Sequence, residues 1–573
     1  MNNKKISELL YTIADLLDIQ GENFFKIRAY RMAAQIIAEQ NEDIETLVKE
    51  DRLDSLPHVG KAIAKKITEY VETGELSYFE ELKEKTPLKL LDLLDISGLG
   101  PKKVASLYQN LNITSIEGLR TACEQGKLRS LDGFGETTEK NILRGIKLKE
   151  KTQGRSLLDH AYHQGKQIVS YLQKDQKVSR ISIAGSLRRM KETIGDIDIL
   201  VSSTDPDHIM DTFVSYPAVK QVLLQGKTKT SVLLTDNIQV DLRVVEQKSF
   251  GSALQYFTGS KEHNVALRAI AIKQGFKLNE YGLFDKKTEE FITGEHEKEI
   301  YQTLNLTFIP PELRENRGEI KAAKKNQLPI LLDKKDICGD LHVHSNYSDG
   351  ANNIKSIVNT AEQLGYDYIG IADHSQSLQV AHGLNKEQVK EKRKEITELN
   401  KKTKIRIFCG TECDILPDGR LDYDDETLSL FDYVGIGIHK TFKMTKKEAT
   451  QRITQAMQHP QVTFLAHPSC RIIGQRASFD LDMEQVFETA VETDTFLEIN
   501  SFPDRLDLTD RWVKRGKEIG VKFIIGSDAH VTDHLNFLSY GVAVARRGWL
   551  EKTDCLNTKS TTEITELFEG GTS

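Results

Sequence analysis

Residues 181–201 read Ile-Ser-Ile-Ala-Gly-Ser-Leu-Arg-Arg-Met-Lys-Glu-Thr-Ile-Gly-Asp-Ile-Asp-Ile-Leu-Val, and they hold the clearest structural pattern in the middle of the chain. An apolar run ends in a glycine-containing turn, and a second apolar run begins after Gly195. Both runs follow the period of two that is typical of β-strands. In the turn, the N–H groups around Gly185 and the hydroxyl of Ser186 can bind a phosphate. The stretch therefore predicts a phosphate-binding turn between two strands.

Two carboxylates lie at alternate positions of the second strand, so Asp196 and Asp198 share one face. Neighbouring carboxylates repel each other unless a cation joins them, and oxygen ligands favour Mg²⁺ or Mn²⁺. Asp241 offers a third carboxylate in another strand-like segment, 240–243. Three such groups can hold two divalent ions about 3.5–4 Å apart, which suits in-line phosphoryl displacement. The alternative, a solvated strand face, is disfavoured by the phosphate-type turn upstream.

Residues before about 150 have helical spacing, and one short motif recurs there: a helix end, a glycine-containing turn and a new helix. The copies are 56–60, 96–100 and 131–135. Glycines let backbone N–H groups approach a phosphate at a helix N-terminus. A single copy fits an αα-hairpin kept for packing equally well, because glycine is also a common helix cap. Three copies favour helix-hairpin-helix DNA binding at Val59, Gly60, Gly98, Gly100, Gly133 and Gly135.

Beyond residue 337, short apolar strands alternate with helical stretches, as in a parallel sheet or barrel. Six of the seven strands that we predict end in His, Asp or Glu. Strand C-termini meet at one mouth of a βα-barrel, so these side chains should converge. Nine nitrogen and oxygen groups exceed the ligands that one ion takes, so more than one metal is implied. A single histidine there would more simply be a hydrogen-bonded rim residue.

Four motifs in the first 320 residues together resemble family X DNA polymerases: 185–189, 195–198, Asp241 and 256–260. The resemblance implies that Asp196, Asp198 and Asp241 bind the two catalytic Mg²⁺ or Mn²⁺ ions. It also implies a nucleotide site, with triphosphate contacts from Gly185, Ser186 and Arg189, sugar contacts from Tyr256, Phe257 and Gly259, and base-pair contacts from Asn264 and Arg268. Without a metal, Arg243 is expected to reach Asp198 or Asp241.

The segment 25–31, Phe-Lys-Ile-Arg-Ala-Tyr-Arg, resembles the small 5′-phosphate-binding domain of the same family. Lys66 falls on the position of a lysine that forms a Schiff base with 5′-deoxyribose phosphate in some members. Such chemistry needs an amine with a lowered pKa, which Lys61 and Lys65 could supply as neighbouring cations. Ala62 departs from the pattern, since those members carry a second lysine there. Lyase chemistry and simple phosphate contact by Lys66 both stay open.

Residues 337–573 resemble the PHP (polymerase and histidinol phosphatase) family. The resemblance implies two or three Mn²⁺ or Zn²⁺ ions, the first held by His342, His344, Glu412 and Asp528, the second by Glu412, His439 and His467, and the third by Asp349, His374 and His530. It implies a hydrolase. Because this region is joined to a polymerase-like one, DNA 3′ ends or the backbone at abasic sites are the expected substrates.

The expected fold is multidomain, α+β and α/β: helical helix-hairpin-helix domains, a nucleotidyltransferase-type mixed-sheet palm, a helical and β thumb, and a distorted (β/α)₇ PHP barrel. The predicted boundaries are 1–80 (5′-phosphate and DNA binding), 81–150 (fingers-like DNA binding), 151–246 (palm), 247–318 (thumb-like), 319–336 (linker) and 337–573 (PHP barrel). This order resembles bacterial family X DNA polymerases that carry a C-terminal PHP domain.

The amino-acid composition limits the kinds of partner that the protein can bind. The 573 residues carry 78 Lys and Arg against 85 Asp and Glu, a net charge of −7, which excludes a wholly cationic surface and limits DNA binding to local patches. The 6 cysteines include no C-x-x-C pair, as expected of reduced thiols in the cytoplasm. No apolar run approaches the roughly 18 residues of a membrane span. We expect a cytoplasmic monomer with no membrane partner.

The sequence thus predicts a DNA polymerase that fills short gaps in primed or gapped double-stranded DNA with dNTPs during repair. The barrel is expected to add a 3′–5′ exonuclease and an abasic-site endonuclease. The alternative is a DNA-binding scaffold with an idle palm, whose barrel hydrolyses small phosphomonoesters.

Overall fold

The structure, a computed structural model, describes residues 3–38, 44–53, 56, 59–94, 96, 99–152 and 154–570. The chain divides into two compact units, 1–153 with 472–477, and 154–471 with 478–573. Across the described residues, every helix is too short or too polar to span a lipid bilayer.

The first unit is helical, as predicted, with helices α1 (Asn3–Ile19), α2 (Phe24–Ala38), α3 (Ile44–Lys49), α4 (Lys61–Thr73), α5 (Ser77–Lys85), α6 (Leu91–Leu94), α7 (Pro101–Leu111), α8 (Ile116–Glu124) and α9 (Glu136–Thr152). Two apolar cores form in it. One gathers buried residues of α1 to α5, including Ile13, Ala33 and Ile67. The other lies mainly under α6 to α9, around Leu107 and Ile142. Each core packs several helices together, so Gly60 and Gly100 lie at the N-termini of packed helices.

The palm begins the second unit, with β1 (Ser156–Leu157), α10 (Leu158–Leu172), β2 (Arg180–Ile183), α11 (Gly185–Arg188), β3 (Thr193–Ile194), β4 (Asp196–Ser202), α12 (Pro206–Val214), β5 (Val219–Gln225), β6 (Lys229–Leu234) and β7 (Gln239–Val245). Five strands form one mixed sheet in the order β2-β4-β7-β6-β5. The central strands β4 and β7 run parallel, and their register puts Asp198 opposite Asp241. The strands predicted on both sides of the turn at Gly185 and at 240–243 are present as β2, β4 and β7.

The thumb-like segment contains α13 (Phe250–Thr258), α14 (Lys261–Lys273), β8 (Phe276–Asn279), β9 (Gly282–Asp285), β10 (Phe291–Thr293) and α15 (Glu297–Thr303). The predicted linker 319–336 is not simply extended, because it starts with helix α16 (Glu319–Lys324). Ala323 lies in the same apolar core as Leu306 and Leu313, and Glu319 is buried against His263. Apolar and polar packing therefore order a segment whose many charges suggested a free connection.

The barrel consists of β11 (Gly339–Val343), α17 (Ile354–Gln363), β12 (Tyr368–Ile371), α18 (Lys386–Asn400), β13 (Arg406–Asp414), α19 (Asp425–Leu428), β14 (Tyr433–Gly437), α20 (Lys446–Met457), β15 (Val462–Leu465), α21 (Met483–Glu492), β16 (Phe496–Asn500), α22 (Asp510–Ile519), β17 (Phe523–Gly526), α23 (Leu538–Arg547) and α24 (Thr561–Gly570). The strands pair in parallel and in chain order from β11 to β17. A parallel bridge between Val343 and Ala529 nearly closes the ring. The C-terminal strand ends therefore face one mouth.

Candidate metal and nucleotide sites

The palm carboxylates converge as predicted. One ligand atom from each of Asp196, Asp198 and Asp241 lies within 4.8 Å of the others. The parallel pairing of β4 and β7 produces this arrangement, since alternate residues share a face and the register aligns Asp198 with Asp241. This geometry fits divalent cations bound by oxygen.

Protein cations offset only part of the negative charge on this triad. Burial, followed by repulsion from Asp196 and Asp241, raises the pKa of Asp198 to about 7. Burial also acts on Asp241, but hydrogen bonds from Lys229 and Gln239 outweigh it and lower the pKa of that carboxyl. Carboxylates that repel one another in this way are stabilised by a bound cation.

Lys229 is the partner of Asp241 that the sequence did not reveal, with its Nζ 2.5 Å from Asp241 Oδ2. The guanidinium of Arg243, which we expected to reach these carboxylates, instead stacks over the Phe257 ring at 4.2 Å. Arg243 and Asp241 lie two residues apart on β7, yet the neighbouring strand β6 supplies the nearer cation. Lys229 lies near the triad because β6 pairs with β7. Its sequence neighbourhood, a single charged residue in a polar hairpin, does not predict that pairing.

A cavity of about 520 Å³ adjoins Asp196 and Asp198. All eight residues expected at the nucleotide line it: Gly185, Ser186, Arg189, Tyr256, Phe257, Gly259, Asn264 and Arg268. Arg155, Lys191 and Lys261 also line the cavity and add positive charge that the sequence analysis did not assign. The cavity therefore combines carboxylates at one end with cations and aromatic side chains around it.

Hydrogen bonds fix the walls of this cavity. The side-chain amide of Asn264 donates to the Tyr256 carbonyl at 2.7 Å and accepts from Gln255 at 2.7 Å. Arg189 donates to Glu315 at 3.0 Å and also to the Thr258 carbonyl. These contacts hold the backbone of the aromatic segment against the phosphate-type turn.

The barrel reaches this wall through Arg547 at the end of α23. Its guanidinium, only 3% exposed, donates to the Arg189 carbonyl at 2.6 Å and to Glu315 at 3.0 Å. The same Glu315 oxygen accepts from the Arg189 side chain. Asp510 of the barrel balances the second nitrogen of Arg547 at 2.6 Å. One buried arginine of the barrel therefore positions both the backbone and the side-chain partner of Arg189.

The nine predicted barrel ligands meet at the mouth around Glu412. Histidine nitrogens surround this carboxylate at 2.8 Å (His467), 3.0 Å (His439), 3.1 Å (His374), 3.4 Å (His342) and 3.7 Å (His344). Three groups could each hold an ion: His342, His344 and Asp528; His374, Glu412 and His439; and His344, Asp349, His374 and His530. His344 and His374 are thus the shared residues, whereas we expected Glu412 to be shared. His467 belongs to none of these three groups, although it lies 2.8 Å from Glu412.

Several of these atoms need a partner beyond the protein. In the part of the chain that the structure describes, His342 Nε2, His344 Nε2, His374 Nδ1 and Glu412 Oε2 are buried without a hydrogen-bond partner. Burial lowers the pKa of His374 to about 3, so its ring is neutral and can act as a ligand. Glu412 keeps a pKa well below its usual range, because neighbouring histidines outweigh the effect of burial. Burial would lower the pKa of His439, but Glu412 outweighs it and raises that pKa to about 10. His439 must therefore lose a proton before it binds a metal. Imidazole nitrogens around an ionised carboxylate fit Mn²⁺ or Zn²⁺.

A second layer of buried acids orients the ligands. Glu498 is 2.5 Å from His342 Nδ1, and it accepts a hydrogen bond from the His467 backbone at 2.6 Å. Asp414 lies 3.2 Å from His439 Nδ1. Such contacts hold an imidazole so that its other nitrogen faces a metal. Neither Glu498 nor Asp414 was predicted as part of the site, because each reaches its histidines through strand pairings that the sequence does not identify.

Lys66 lies in a separate cavity of the first unit, of about 690 Å³, which Lys26, Tyr30 and Lys61 also line. Its Nζ is 4.7 Å from the centre of the Tyr78 ring, and the Nζ of Lys26 is 5.6 Å from the same ring. Clustered lysines beside aromatic rings suit a phosphate-bearing ligand. Lys61, which was predicted to lie beside Lys66, therefore lines the same cavity, and Lys26 is a neighbour that was not predicted.

The glycine turns present open backbone at helix N-termini. Gly60 and Gly100 cap α4 and α7, and Gly133 has φ +77° just before α9. A Cβ at Gly60, Gly100, Gly133 or Gly135 would meet nothing within 4 Å among the described residues, so a phosphate has room there. Val59, by contrast, is buried in the core. Gly98 lies outside the described residues.

Four family profiles match the chain: a helix-hairpin-helix domain over residues 1–76, a SAM-like helix-hairpin-helix tandem over 90–148, a DNA polymerase beta thumb over 253–315 and a PHP domain over 340–501. With the palm triad between the second and third matches, fold and sites define one class of protein. It joins a nucleotidyltransferase-type palm to a metal-binding PHP barrel.

A relative that matches almost the full length of the chain identifies its family. The chain is 38% identical over 567 residues to the DNA polymerase/3′-5′ exonuclease PolX of Bacillus subtilis (strain 168), covering 98% of this chain and 99% of the relative. The chain therefore belongs to the PolX family. It is also similar to DNA polymerase lambda of Rattus norvegicus, at 24% identity over 55% of this chain and 56% of the relative. DNA polymerase lambda of Arabidopsis thaliana is 23% identical over 49% of this chain and 54% of the relative. The resemblances to family X and to PHP proteins are confirmed.

Proposed function

We propose that the protein is a DNA polymerase that fills short gaps during repair, and that its barrel is a metal-dependent 3′–5′ exonuclease. The observation that carries the polymerase assignment is the carboxylate triad, of which Asp196 and Asp198 line the cavity of about 520 Å³, here called the nucleotide cavity. Near full-length similarity to a protein named DNA polymerase/3′-5′ exonuclease PolX supports both activities. Gapped or primed DNA and dNTPs are the proposed substrates.

In the palm, Asp196, Asp198 and Asp241 would hold two Mg²⁺ or Mn²⁺ ions, which supply charge to the attacking and leaving oxygens. The turn that begins at Gly185, together with Ser186, would bind the triphosphate of the incoming nucleotide. Nothing in this arrangement requires a separate general base, because positioning and electrostatic stabilisation carry most of phosphoryl transfer.

The rest of the cavity would orient the nucleotide. Arg189 lies beside the phosphate-type turn, and Tyr256, Phe257 and Gly259 form the wall where the sugar would lie. Asn264 holds the Tyr256 carbonyl, so it would act on the base pair mainly through the backbone that it fixes. Arg268 borders the same cavity.

Asp198→Asn tests the polymerase assignment. Losing one of the two carboxylates of β4 should reduce primer extension by at least about 100-fold, because the metal charge that stabilises the transition state is lost. Extension of a primer across a short gap is measured with labelled dNTPs, and Asp211→Asn on an outer helix serves as the control. Normal extension by Asp198→Asn would mean that this triad is not the catalytic site, whereas a wild type that fails to extend the primer would favour the scaffold alternative.

In the barrel, Glu412 and the histidines around it would hold two or three Mn²⁺ or Zn²⁺ ions that supply a hydroxide nucleophile near neutral pH. Glu498 and Asp414 would keep His342, His467 and His439 in place. The same centre is the proposed site of abasic-site cleavage, because both reactions break a phosphodiester.

Glu412→Gln tests the barrel assignment. Because Glu412 contacts five histidines, this change should lower both the bound metal, measured on the purified protein, and 3′-end degradation by at least about 100-fold. Turnover on a 3′-recessed duplex, on an abasic duplex and on a small phosphomonoester is compared in the same preparation. Faster turnover of the phosphomonoester than of DNA would favour the small-molecule alternative.

The first unit would bind DNA through its glycine turns and place a 5′-phosphate among Lys26, Lys61 and Lys66. Lyase action at Lys66 rests on its place in this cavity. Borohydride trapping of a 5′-deoxyribose phosphate substrate on the wild type, and its loss in Lys66→Ala, is the expected outcome. If Lys66→Ala only weakens binding and the wild type shows no trapping, Lys66 is a phosphate contact.

A further inference from the structure

Three aromatic rings form a cluster at the barrel mouth outside the nine candidate ligands. Phe502 follows β16, while His534 and Phe537 belong to the turn 532–537. His534 and Phe537 stack with ring centres 4.7 Å apart, and Phe502 lies 5.1 Å from His534 and 5.3 Å from Phe537. Each ring remains partly exposed, although aromatic side chains of this size gain by full burial. A partly exposed aromatic cluster of this kind can stack on a nucleobase.

The cluster is joined to the candidate metal centre on two sides. The backbone N–H of Phe502 donates to Asn500 at 3.0 Å, and the Asn500 amide donates to Asp528 at 3.1 Å. On the other side, the backbone N–H of His530 donates to His534 Nδ1 at 3.4 Å. Both Asp528 and His530 are candidate ligands. The rings therefore lie directly beside the position where a phosphodiester would meet the metals.

A cation lies on the same turn as Phe502. The Arg505 N–H donates to the Phe502 carbonyl at 2.8 Å, so the two residues share one tight turn. The Arg505 side chain is 23% exposed, and its Nε lies 3.6 Å from Asp528 Oδ2. A guanidinium at the edge of a metal site is suited to a phosphate oxygen. One short loop therefore presents an aromatic ring and a phosphate-binding group together.

We propose that this loop and the turn 532–537 form a subsite for the 3′-terminal nucleotide. The base stacks on the cluster of Phe502, His534 and Phe537, and Arg505 contacts the phosphate that is to be cleaved. This assignment rests on the proposed exonuclease function. It identifies the substrate contact as an unpaired terminal nucleotide, because a base that is paired within the duplex cannot reach the rings. The chemistry does not depend on which base is present, because every base has a stacking face.

The test compares two single-stranded trinucleotides with a 5′ dye, one with a base on the 3′-terminal sugar and one with a baseless sugar there. Their dissociation constants are measured by fluorescence anisotropy on the metal-loaded protein, with a phosphorothioate at the 3′-terminal linkage of each trinucleotide to slow its cleavage. The wild type should bind the trinucleotide with the terminal base roughly 10-fold more tightly. Phe502→Leu should bind both trinucleotides equally, and Phe502→Trp should restore the preference.

Variants of Arg505 and a matched aromatic control distinguish the phosphate contact from the base contact. Arg505→Gln should weaken binding of both trinucleotides by a similar factor, while Arg505→Lys should retain part of the affinity. Trp512→Leu, which removes a partly exposed ring from an outer barrel helix, should leave the base preference unchanged. Since the preference is a ratio within one protein, a variant that merely lost folded molecules would not abolish it.

The outcomes distinguish this subsite from the underlying function. A wild type without a base preference, or Phe502→Leu that keeps it, overturns the subsite while 3′-end degradation by the wild type with Mn²⁺ stands. A wild type that degrades no 3′ end with any divalent metal overturns the exonuclease itself.

Discussion

Gly185 occupies a position that only glycine can fill without moving the palm triad. Its φ is +63°, and a Cβ there would lie 2.1 Å from Asp198 Oδ2. Gly185→Ala should therefore displace the Asp198 carboxylate, because the side chain and the left-handed backbone are both unfavourable. We predict a loss of primer extension of at least about 100-fold, measured at saturating dNTP, with 3′-end degradation retained.

Gly275→Ala is the matched control for this change. Gly275 has φ +85°, but a Cβ there would meet nothing within 4 Å among the described residues. The substitution should cost about 1–2 kcal/mol of stability and leave extension intact. If the two alanine variants lose extension to the same degree, backbone strain and not the contact with Asp198 explains the effect.

At this scale, the sequence predicts ligands better than it predicts the residues that hold them. Asp196, Asp198 and the strand-end histidines stand in short motifs with a regular spacing, so their convergence follows from periodicity alone. Lys229 and Glu498 belong to no such motif, and their roles come from which strands become neighbours. Asp241 lies between these two cases. The strand that carries it was predictable, but the strand register that puts it opposite Asp198 was not.

Helix α15 ties the palm to the thumb through one buried carboxylate. Glu297 accepts hydrogen bonds from Arg188 at 2.9 and 2.8 Å and from Arg314 at 2.5 Å, and Arg314 is fully buried. Burial opposes ionisation, but these two arginines lower the pKa of Glu297 from 4.5 to about 2. The carboxylate therefore contributes to stability only while it is ionised.

This pKa predicts how stability depends on pH. Because the folded-state pKa lies below the unfolded one, the contribution is complete above about pH 4.5 and is lost as pH falls toward 2. The difference of 4.5 and 2 corresponds to about 3 kcal/mol. Glu297→Gln should destabilise the second unit by about 3–5 kcal/mol at pH 7, since it leaves a buried arginine unpaired. Urea unfolding of both proteins from pH 7 to pH 3.5 should show this difference beginning to shrink below about pH 4.5.

Glu299→Gln provides the control on the same helix. Glu299 accepts a hydrogen bond from the Thr293 hydroxyl at 2.6 Å and does not pair with the two arginines. Its effect on the free energy of unfolding should be small and should change little over the same pH range. A constant difference between the wild type and Glu297→Gln down to pH 3.5 would contradict the lowered pKa of Glu297.

Elements with a clear period were predictable, and irregular ones were not. Palm strands such as β4 and β7, and all seven barrel strands, alternate or run as apolar segments, and a strand is present wherever such a pattern predicts one. The segment 319–336 looked like a linker because of its charges. Its helix is held by tertiary contacts of Glu319 and Ala323, which local composition does not encode.

At the scale of the whole second unit, Arg547 links the barrel to the nucleotide cavity. Arg547→Ala should release Glu315 and the Arg189 backbone, and we predict a rise of about 10-fold in the KM for dNTP with little change in kcat. Steady-state gap filling measures the split, and thermal unfolding measures the stability of the variant. Degradation of 3′ ends should stay near the wild-type rate.

Arg546→Ala is the neighbouring control. Arg546 also connects the barrel to other parts of the unit, donating to Glu312 at 2.8 Å and to the Leu332 carbonyl at 2.8 Å, but it makes neither contact of Arg547 with the nucleotide cavity. It should change stability without changing the KM for dNTP. An equal rise in KM in both variants would mean that general loosening of the domain contact, and not Arg547, sets nucleotide affinity.

We propose that one chain carries two separate metal centres, one that extends DNA and one that degrades it. The most direct measurement follows a single labelled primer on a gapped duplex with Asp196→Ala and with His344→Ala, alongside the metal content of each protein. Asp196→Ala should shorten the primer at the wild-type rate and fail to extend it, whereas His344→Ala should extend it and fail to shorten it, with less metal bound. Loss of both activities in either folded variant, or normal extension by Asp196→Ala, would contradict the account.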